Sequence, residues 1–142
     1  MKISSETNTV RLSVRELVEW VLREGDIDNR RTQEGTKDAM LLGAETHRAI
    51  QKSMGPDYSS EVPVEISVDL SEAILTIDGR ADGVFQIDGI TAIDEIKGMF
   101  SDVMAMEAPI PVHLAQAEMY AYIIANEESL PEVKVQMTYA RL

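Results

Sequence analysis

Asp82, Glu95 and Lys97 stand on either side of Asp88-Gly89. An Asp-Gly pair tolerates the positive φ angles of a two-residue type I′ turn, and alternating runs flank it, so Gly79 to Gly98 reads as a β-hairpin. With Asp88 and Gly89 as the loop, Ile87 faces Ile90, Phe85 faces Ala92, and Asp82 faces Glu95. Alternation puts Asp82, Glu95 and Lys97 on one face and Phe85, Ile87, Ile90, Ala92 and Ile96 on the other, where they can pack on a core. Directly opposed carboxylates destabilise a sheet, and a divalent cation between them removes the conflict. Two carboxylates, water and a backbone carbonyl such as that of Ile96 are the oxygen ligands that Mg²⁺ or Mn²⁺ prefers. The plainer reading is a solvated hairpin face on which Lys97 pairs with the acids.

These residues need elements to position them. Upstream, Thr36 to Met54 has helical spacing, with Ala39, Met40, Leu42, Gly43, Thr46, His47 and Ile50 as the less polar face and Gly55-Pro56 as the stop. Val62, Val64, Ile66 and Val68 alternate with polar residues, and Pro63 places that strand at an edge. Glu65 on it is either surface or an outer acid of the site. Ala73 to Ile77 is a short strand leading to the Asp82 strand, which completes an antiparallel meander. Downstream, residues 98–110 form a long apolar loop, and Pro111 opens a helix ending near Asn126. Gln116 and Tyr120 share one face of that helix, and His113, a turn earlier, is a candidate phosphate contact. Val133 to Arg141 alternates as a last strand beside the hairpin, parallel to it after the helical crossover.

At the start, residues 1–12 read as a polar lead-in. Ser13-Val-Arg-Glu16 is a capping box, and Val14, Leu17, Val18, Val21 and Leu22 recur at helical spacing up to Gly25. Trp20 reads as core or helix-packing surface, with a base-stacking platform as the functional alternative. Residues 26–35 read as a surface loop in which Arg30 and Arg31 are candidate phosphate contacts. The expected fold is α+β, a mixed sheet with an antiparallel meander and hairpin, flanked by helices.

A chain of 142 residues suits a single domain, 1–142. No run approaches the roughly 20 apolar residues that span a bilayer, and the N-terminus has no apolar signal core. The absence of cysteine fits a reducing cytoplasm and excludes a disulfide framework, a thiolate zinc site and a cysteine-ligated iron–sulfur cluster within these residues. The net charge of −12 is the opposite of a usual nucleic-acid footprint. It is uneven: residues 1–52 hold nine basic and nine acidic side chains, and residues 53–142 hold four and sixteen. Contact with a polyanion is therefore expected towards the N-terminal third, with a bound metal or a partner domain offsetting the remaining acids.

Asp82, twelve residues, then Glu95-x-Lys97, with Gly79, Gly83 and Gly98 around them, resembles the bipartite motif of the PD-(D/E)xK nuclease superfamily. Gly43-x-x-x-His47-x-x-Ile50 resembles the first motif of its RecB-type branch, in which the histidine is a metal ligand and the glycine lets the helix approach the sheet. Gln116-x-x-x-Tyr120 resembles the branch's Gln-x-x-x-Tyr motif, which lines the DNA path. Ser13-Val-Arg-Glu-Leu-Val-Glu-Trp, Gly25-Asp-Ile-Asp-Asn-Arg, Pro111-Val-His-x-Ala-Gln-Ala and Val135-Gln-Met-Thr-Tyr are similar to the N-terminal nuclease domain of bacterial DinG-like ATP-dependent DNA helicases.

The resemblance implies a restriction-endonuclease-like core and an Mg²⁺- or Mn²⁺-dependent DNA exonuclease working beside a helicase. It gives Asp82, Glu95 and Lys97 the catalysis, His47, Asp82, Glu95 and Ile96 the metal, and Gln116 and Tyr120 the DNA. Branch members with an iron–sulfur cluster need four cysteines, so that subgroup is excluded. No Gly-x-x-x-x-Gly-Lys-Ser/Thr occurs, and the chain stops abruptly at Leu142, so the expectation is a fragment of a longer helicase-nuclease or a stand-alone relative. Two rivals stay open: a catalytically silent DNA-binding or helicase-regulating module, and an acidic interaction domain with a fortuitous motif.

Overall fold

A 14-residue strand, Ile74–Ile87, carries the rest of the sheet. In the computed structural model, which describes residues 1–22, 37–100 and 102–142, it is the fourth of six strands: β1 Lys2–Ser4, β2 Thr9–Ser13, β3 Ser59–Asp69, β4 Ile74–Ile87, β5 Ile90–Met99 and β6 Lys134–Arg141. Among the described residues three α-helices flank them, α1 Val14–Val21, α2 Lys37–Ser53 and α3 Pro111–Glu128. Gly25, Arg30 and Arg31 lie outside the described residues.

The sheet runs β1-β2-β4-β5-β6, with β3 also on β4. Antiparallel β3 occupies one edge of β4 from Ile74 to Val84. The other edge is divided. Parallel β2 takes Ile74 to Asp78, antiparallel β5 takes Gly83 to Ile87, and residues 79–82 between them pair with neither. The sheet therefore forks beside Gly79, Arg80, Ala81 and Asp82. On β3, Glu61 stands where Asp82 would pair; it has φ 54° and the pair is missing from the ladder. A Cβ on Gly79 would meet Tyr120 and Val14, whereas one on Gly83 would meet Tyr58. Two positions of the same parity thus face different neighbours, so β4 turns as it passes the fork.

Asp88 and Gly89 have φ 52° and 78°, the two positive values of a type I′ turn, and Ile87↔Ile90, Phe85↔Ala92 and Gly83↔Asp94 pair in the expected register. The ladder ends there, so Asp82 and Glu95 lie just beyond its last pair. The last strand is parallel to β5, as expected. Ser13 caps α1: its Oγ accepts the Glu16 N–H at 3.0 Å. Val14 and Val18 of α1 join Tyr120, Ala121, Ile123 and Ile124 of α3 and Val64, Ile77 and Ile93 of the sheet in one core. Among the described residues no helix is long and apolar enough to cross a membrane.

Several expectations need correcting. The polar lead-in is two strands; Thr9 to Ser13 forms a parallel ladder with residues 65 positions further on, Ile74 to Asp78, a partner that no local pattern reveals. Ala73 to Ile77 is not a separate strand but the first part of β4. The hairpin has no solvated face: Ile93, on the side of the acids, is fully buried, and so is Asp94 among the residues expected to be apolar. Trp20 is 69% exposed, which removes it from the core. Met40 and Leu42 are exposed as well, and a Cβ on Gly43 would meet nothing within 4 Å, so this glycine makes no close approach of helix to sheet.

Buried Asp94 is satisfied by Tyr58 Oη at 2.6 Å and Thr138 Oγ1 at 2.6 Å. Burial and the neighbouring carboxylate push the Tyr58 phenol upward. Tyr58→Phe should remove one of these donors and leave Asp94 underpaired. The expected loss is about 1–3 kcal/mol of unfolding free energy, read from the urea midpoint at unchanged slope.

Candidate active site

The fork places Asp82 of β4 beside Glu95 of β5, and both are buried, at 8% and 4% exposure. Asp82 Oδ2 accepts the Ile96 backbone N–H at 2.7 Å. The Ile96 amide thus holds Asp82, a role separate from that of the Ile96 carbonyl expected as a metal ligand. The two carboxyl groups lie within hydrogen-bonding reach of each other. Burial first, then Asp82, raises the pKa of Glu95 well above the usual carboxylate range. Lys97 is displaced the other way, because burial disfavours its ammonium more than Glu95 supports it. Two acids and a lysine therefore share a site whose Glu95 and Lys97 both ionise away from their ordinary pH, a recurring property of working sites.

Helix α2 supplies a further side. His47 Nδ1 stands 3.7 Å from Asp82 Oδ1. One turn on, Gln51 is buried, and its Nε2 donates to the Asp82 carbonyl at 2.8 Å and to Glu61 Oε1 at 3.0 Å. Asp82 is thereby held at both its backbone and its carboxylate. Gln51 was missed from sequence; its spacing of four from His47 was the available signal.

Helix α3 closes the fork. An added Cβ on Gly79 would stand 2.7 Å from Tyr120 Cε1 and 3.3 Å from Val14 Cγ2, so this glycine leaves the room that the ring occupies. Burial, with Glu95 and Asp82, pushes the Tyr120 phenol up to about 12. Gln116, one turn earlier and 4% exposed, has an Oε1 with no hydrogen-bond partner among the described residues. The charge of Arg15, on the first turn of α1, acts on Glu95, Lys97, His113 and Tyr120 together. Arg15 is the second missed neighbour, hidden inside the capping box. Glu65 belongs elsewhere: it pairs with Arg11 at 2.8 Å on the surface.

Of the sequence candidates, His47, Asp82, Glu95, Ile96, Lys97 and Tyr120 come to the fork, and Gln116 lies one turn before Tyr120 on α3. Among the described residues no three His, Asp or Glu side chains converge closely enough to enclose an ion by themselves. The donor set nonetheless fits a hard divalent cation. Two touching buried carboxylates need a proton or a cation between them, and Mg²⁺ characteristically takes one or two carboxylates and keeps several waters.

No family model matches the chain, and no curated protein does. The chain is similar to a solved structure described as "Crystal structure of SSO0001", with 22% sequence identity and a TM-score of 0.65 over 97% of this chain and 64% of that one. That likeness establishes the fold, an α+β arrangement of a mixed sheet flanked by helices. The chain spans about two-thirds of its neighbour's length, 64%.

Proposed function

We propose that this chain is an Mg²⁺- or Mn²⁺-dependent deoxyribonuclease with a restriction-endonuclease-like core of the RecB kind. In this reading it works in the cytoplasm as an exonuclease beside an ATP-dependent helicase in DNA repair or processing. The observation that carries the reading is the buried contact of Asp82 with Glu95 at the fork, with Lys97 beside it. Asp82 and Glu95 are the residues that would hold the ion, with His47 in reach of Asp82. A bound divalent ion supplies charge neutralisation at the phosphate and a water of lowered pKa.

Lys97, its ammonium disfavoured by burial, is suited to take a proton from the attacking water. In its charged form it stabilises the negative charge that develops on the phosphate. The Ile96 N–H and Gln51 hold Asp82 in place while this happens. Tyr120 and Gln116, on successive turns of α3, line the path of the strand.

Calorimetric titration of Mn²⁺ into the wild type, Asp82→Ala and Glu95→Ala, followed by labelled single-stranded DNA, tests the reading. Binding lost in both variants, together with shortening of DNA by the wild type alone, is expected; the rate should fall on the order of a hundredfold or more. Heat without shortening would leave a silent DNA-binding or helicase-regulating module. Heat indifferent to both substitutions would sink the nuclease.

A further inference from the structure

We infer that Glu61 of β3 is a positioning residue for the candidate site, acting through the Gln51 carboxamide on the main chain of Asp82. Its effect on a bound cation rests on the nuclease reading; its effect on the place of Asp82 does not. Glu61 is a strained position at the fork. Its φ of 54° lies in the left-handed region, which is costly for any residue with a Cβ and free of that cost for glycine. Ser60↔Gly83 and Val62↔Ala81 keep one register on either side of it, so this is not the bulge of an inserted residue. Strain of this kind persists where surrounding contacts hold it, and it collects at functional sites.

The contact on Glu61 is a buried one. Gln51 Nε2 donates to Glu61 Oε1 at 3.0 Å and to the Asp82 carbonyl at 2.8 Å, and Gln51 is 8% exposed. A carboxamide has two hydrogens on its nitrogen, and these two acceptors use both. Turned over, it would set its own oxygen against two acceptors, so Glu61 and the Asp82 carbonyl together fix which way it faces. The other Glu61 oxygen stands 4.0 Å from Arg80 Nη1 in an exposed pair, which contributes little.

What Gln51 holds is the peptide from which the Asp82 carboxylate projects. That carboxylate spans the fork to the Ile96 N–H at 2.7 Å, where residues 79–82 pair with neither β2 nor β5. A shift of the Asp82 main chain therefore moves its carboxylate against Ile96 and Glu95. His47, one turn before Gln51 on α2, stands 3.7 Å from Asp82 Oδ1, so the same contact holds the approach of the helix. Partners behind a metal ligand orient it in this way, and their loss weakens metal binding without removing a ligand.

Glu61→Gly separates positioning from a structural role. Glycine adopts this φ without strain, which offsets the lost hydrogen bond, so the urea midpoint should stay near that of the wild type. In chelator, the Ile96 amide hydrogen should nonetheless exchange several-fold faster, because its acceptor on Asp82 is no longer held. Calorimetric titration should show Mn²⁺ binding weakened about tenfold. Glu61→Gln keeps an acceptor oxygen at the same reach and should stay close to the wild type in both measurements. Gln51→Met, which keeps the length without the donor, should reproduce both losses, and adding Glu61→Gly to it should change little further.

Unchanged Ile96 exchange in Glu61→Gly would overturn the inference, and a lowered urea midpoint beside it would make Glu61 structural. Losses in Glu61→Gln equal to those in Glu61→Gly would overturn it too, by showing that the charge of Glu61 matters rather than its hold on Gln51. DNA cleavage by the wild type, with Ile96 exchange and Mn²⁺ binding unchanged in Glu61→Gly, would keep the nuclease and remove this role. Faster Ile96 exchange in Glu61→Gly, in a protein whose wild type neither binds Mn²⁺ nor cleaves, would do the reverse.

Discussion

Glu95→Gln should abolish the DNA cleavage that the proposed function assigns to this chain and, in chelator at about pH 8, make the chain more stable than the wild type. Glu95 is buried against Asp82, and both influences raise its pKa above that of the unfolded chain. A carboxyl with a raised folded-state pKa binds its proton more tightly when folded. Its stabilising contribution is complete below the unfolded value of roughly 4.3 and is lost as pH rises towards the folded value. The amide keeps the shape of the side chain without its charge, so the variant should lose that part of the pH dependence. It should gain about 1–2 kcal/mol at the alkaline end, several degrees of Tm for a domain of this size. Under the proposed function, adding Mn²⁺ should stabilise the wild type and leave the variant unmoved. Melting curves across pH, with and without Mn²⁺, test both statements. A variant less stable than the wild type at every pH would mean that Glu95 ionises without strain, and the case for a cation between the acids would lose its physical basis.

The second large effect concerns Gly83, on the ring-contact side of the hairpin. A Cβ there would collide with both Cζ and Oη of Tyr58. The ring is not free to swing away: Oη is bonded to buried Asp94 at 2.6 Å, and Phe85 lies against it with centroids 5.6 Å apart. Gly83→Ala should therefore expel Tyr58 and strip Asp94 of a partner, for a total of about 3–5 kcal/mol from overpacking and a lost buried hydrogen bond. The double variant with Tyr58→Phe should cost clearly less than the two separate losses added together, because both break the same contact. Urea denaturation of the four proteins measures this coupling. Additive losses would show that Gly83 matters for another reason.

The hairpin was legible because Asp88-Gly89 permits only a narrow choice of turn, and a two-residue turn fixes the register of everything beside it. Asp82 opposite Glu95 followed from that alone. β1 and β2 were not legible, since Lys2–Ser4 and Thr9–Ser13 are short and partly polar, and β2 gains its place by pairing with remote Ile74–Asp78. Asp94 shows where alternation misleads: a charged residue read among apolar ones is fully buried, because Tyr58 and Thr138 arrive from distant segments to satisfy it. Trp20 errs the other way, its helical spacing suggesting packing that the structure does not give it. At the site the motif residues were readable, whereas Gln51 reaches Asp82 from an element far away in the chain, and the charge of Arg15 acts on Glu95 from another.

The twelve residues between Asp82 and Glu95 form a closed hairpin whose turn has no spare residue. One residue inserted or deleted there would send one of the acids to the opposite side of the sheet. The connection from α2 to β3, residues 54–58, is under no such rule, since a loop absorbs changes of length at little cost. Related chains are thus free to differ by insertions after α2, while the interval between the two carboxylates behaves as a ruler of fixed length.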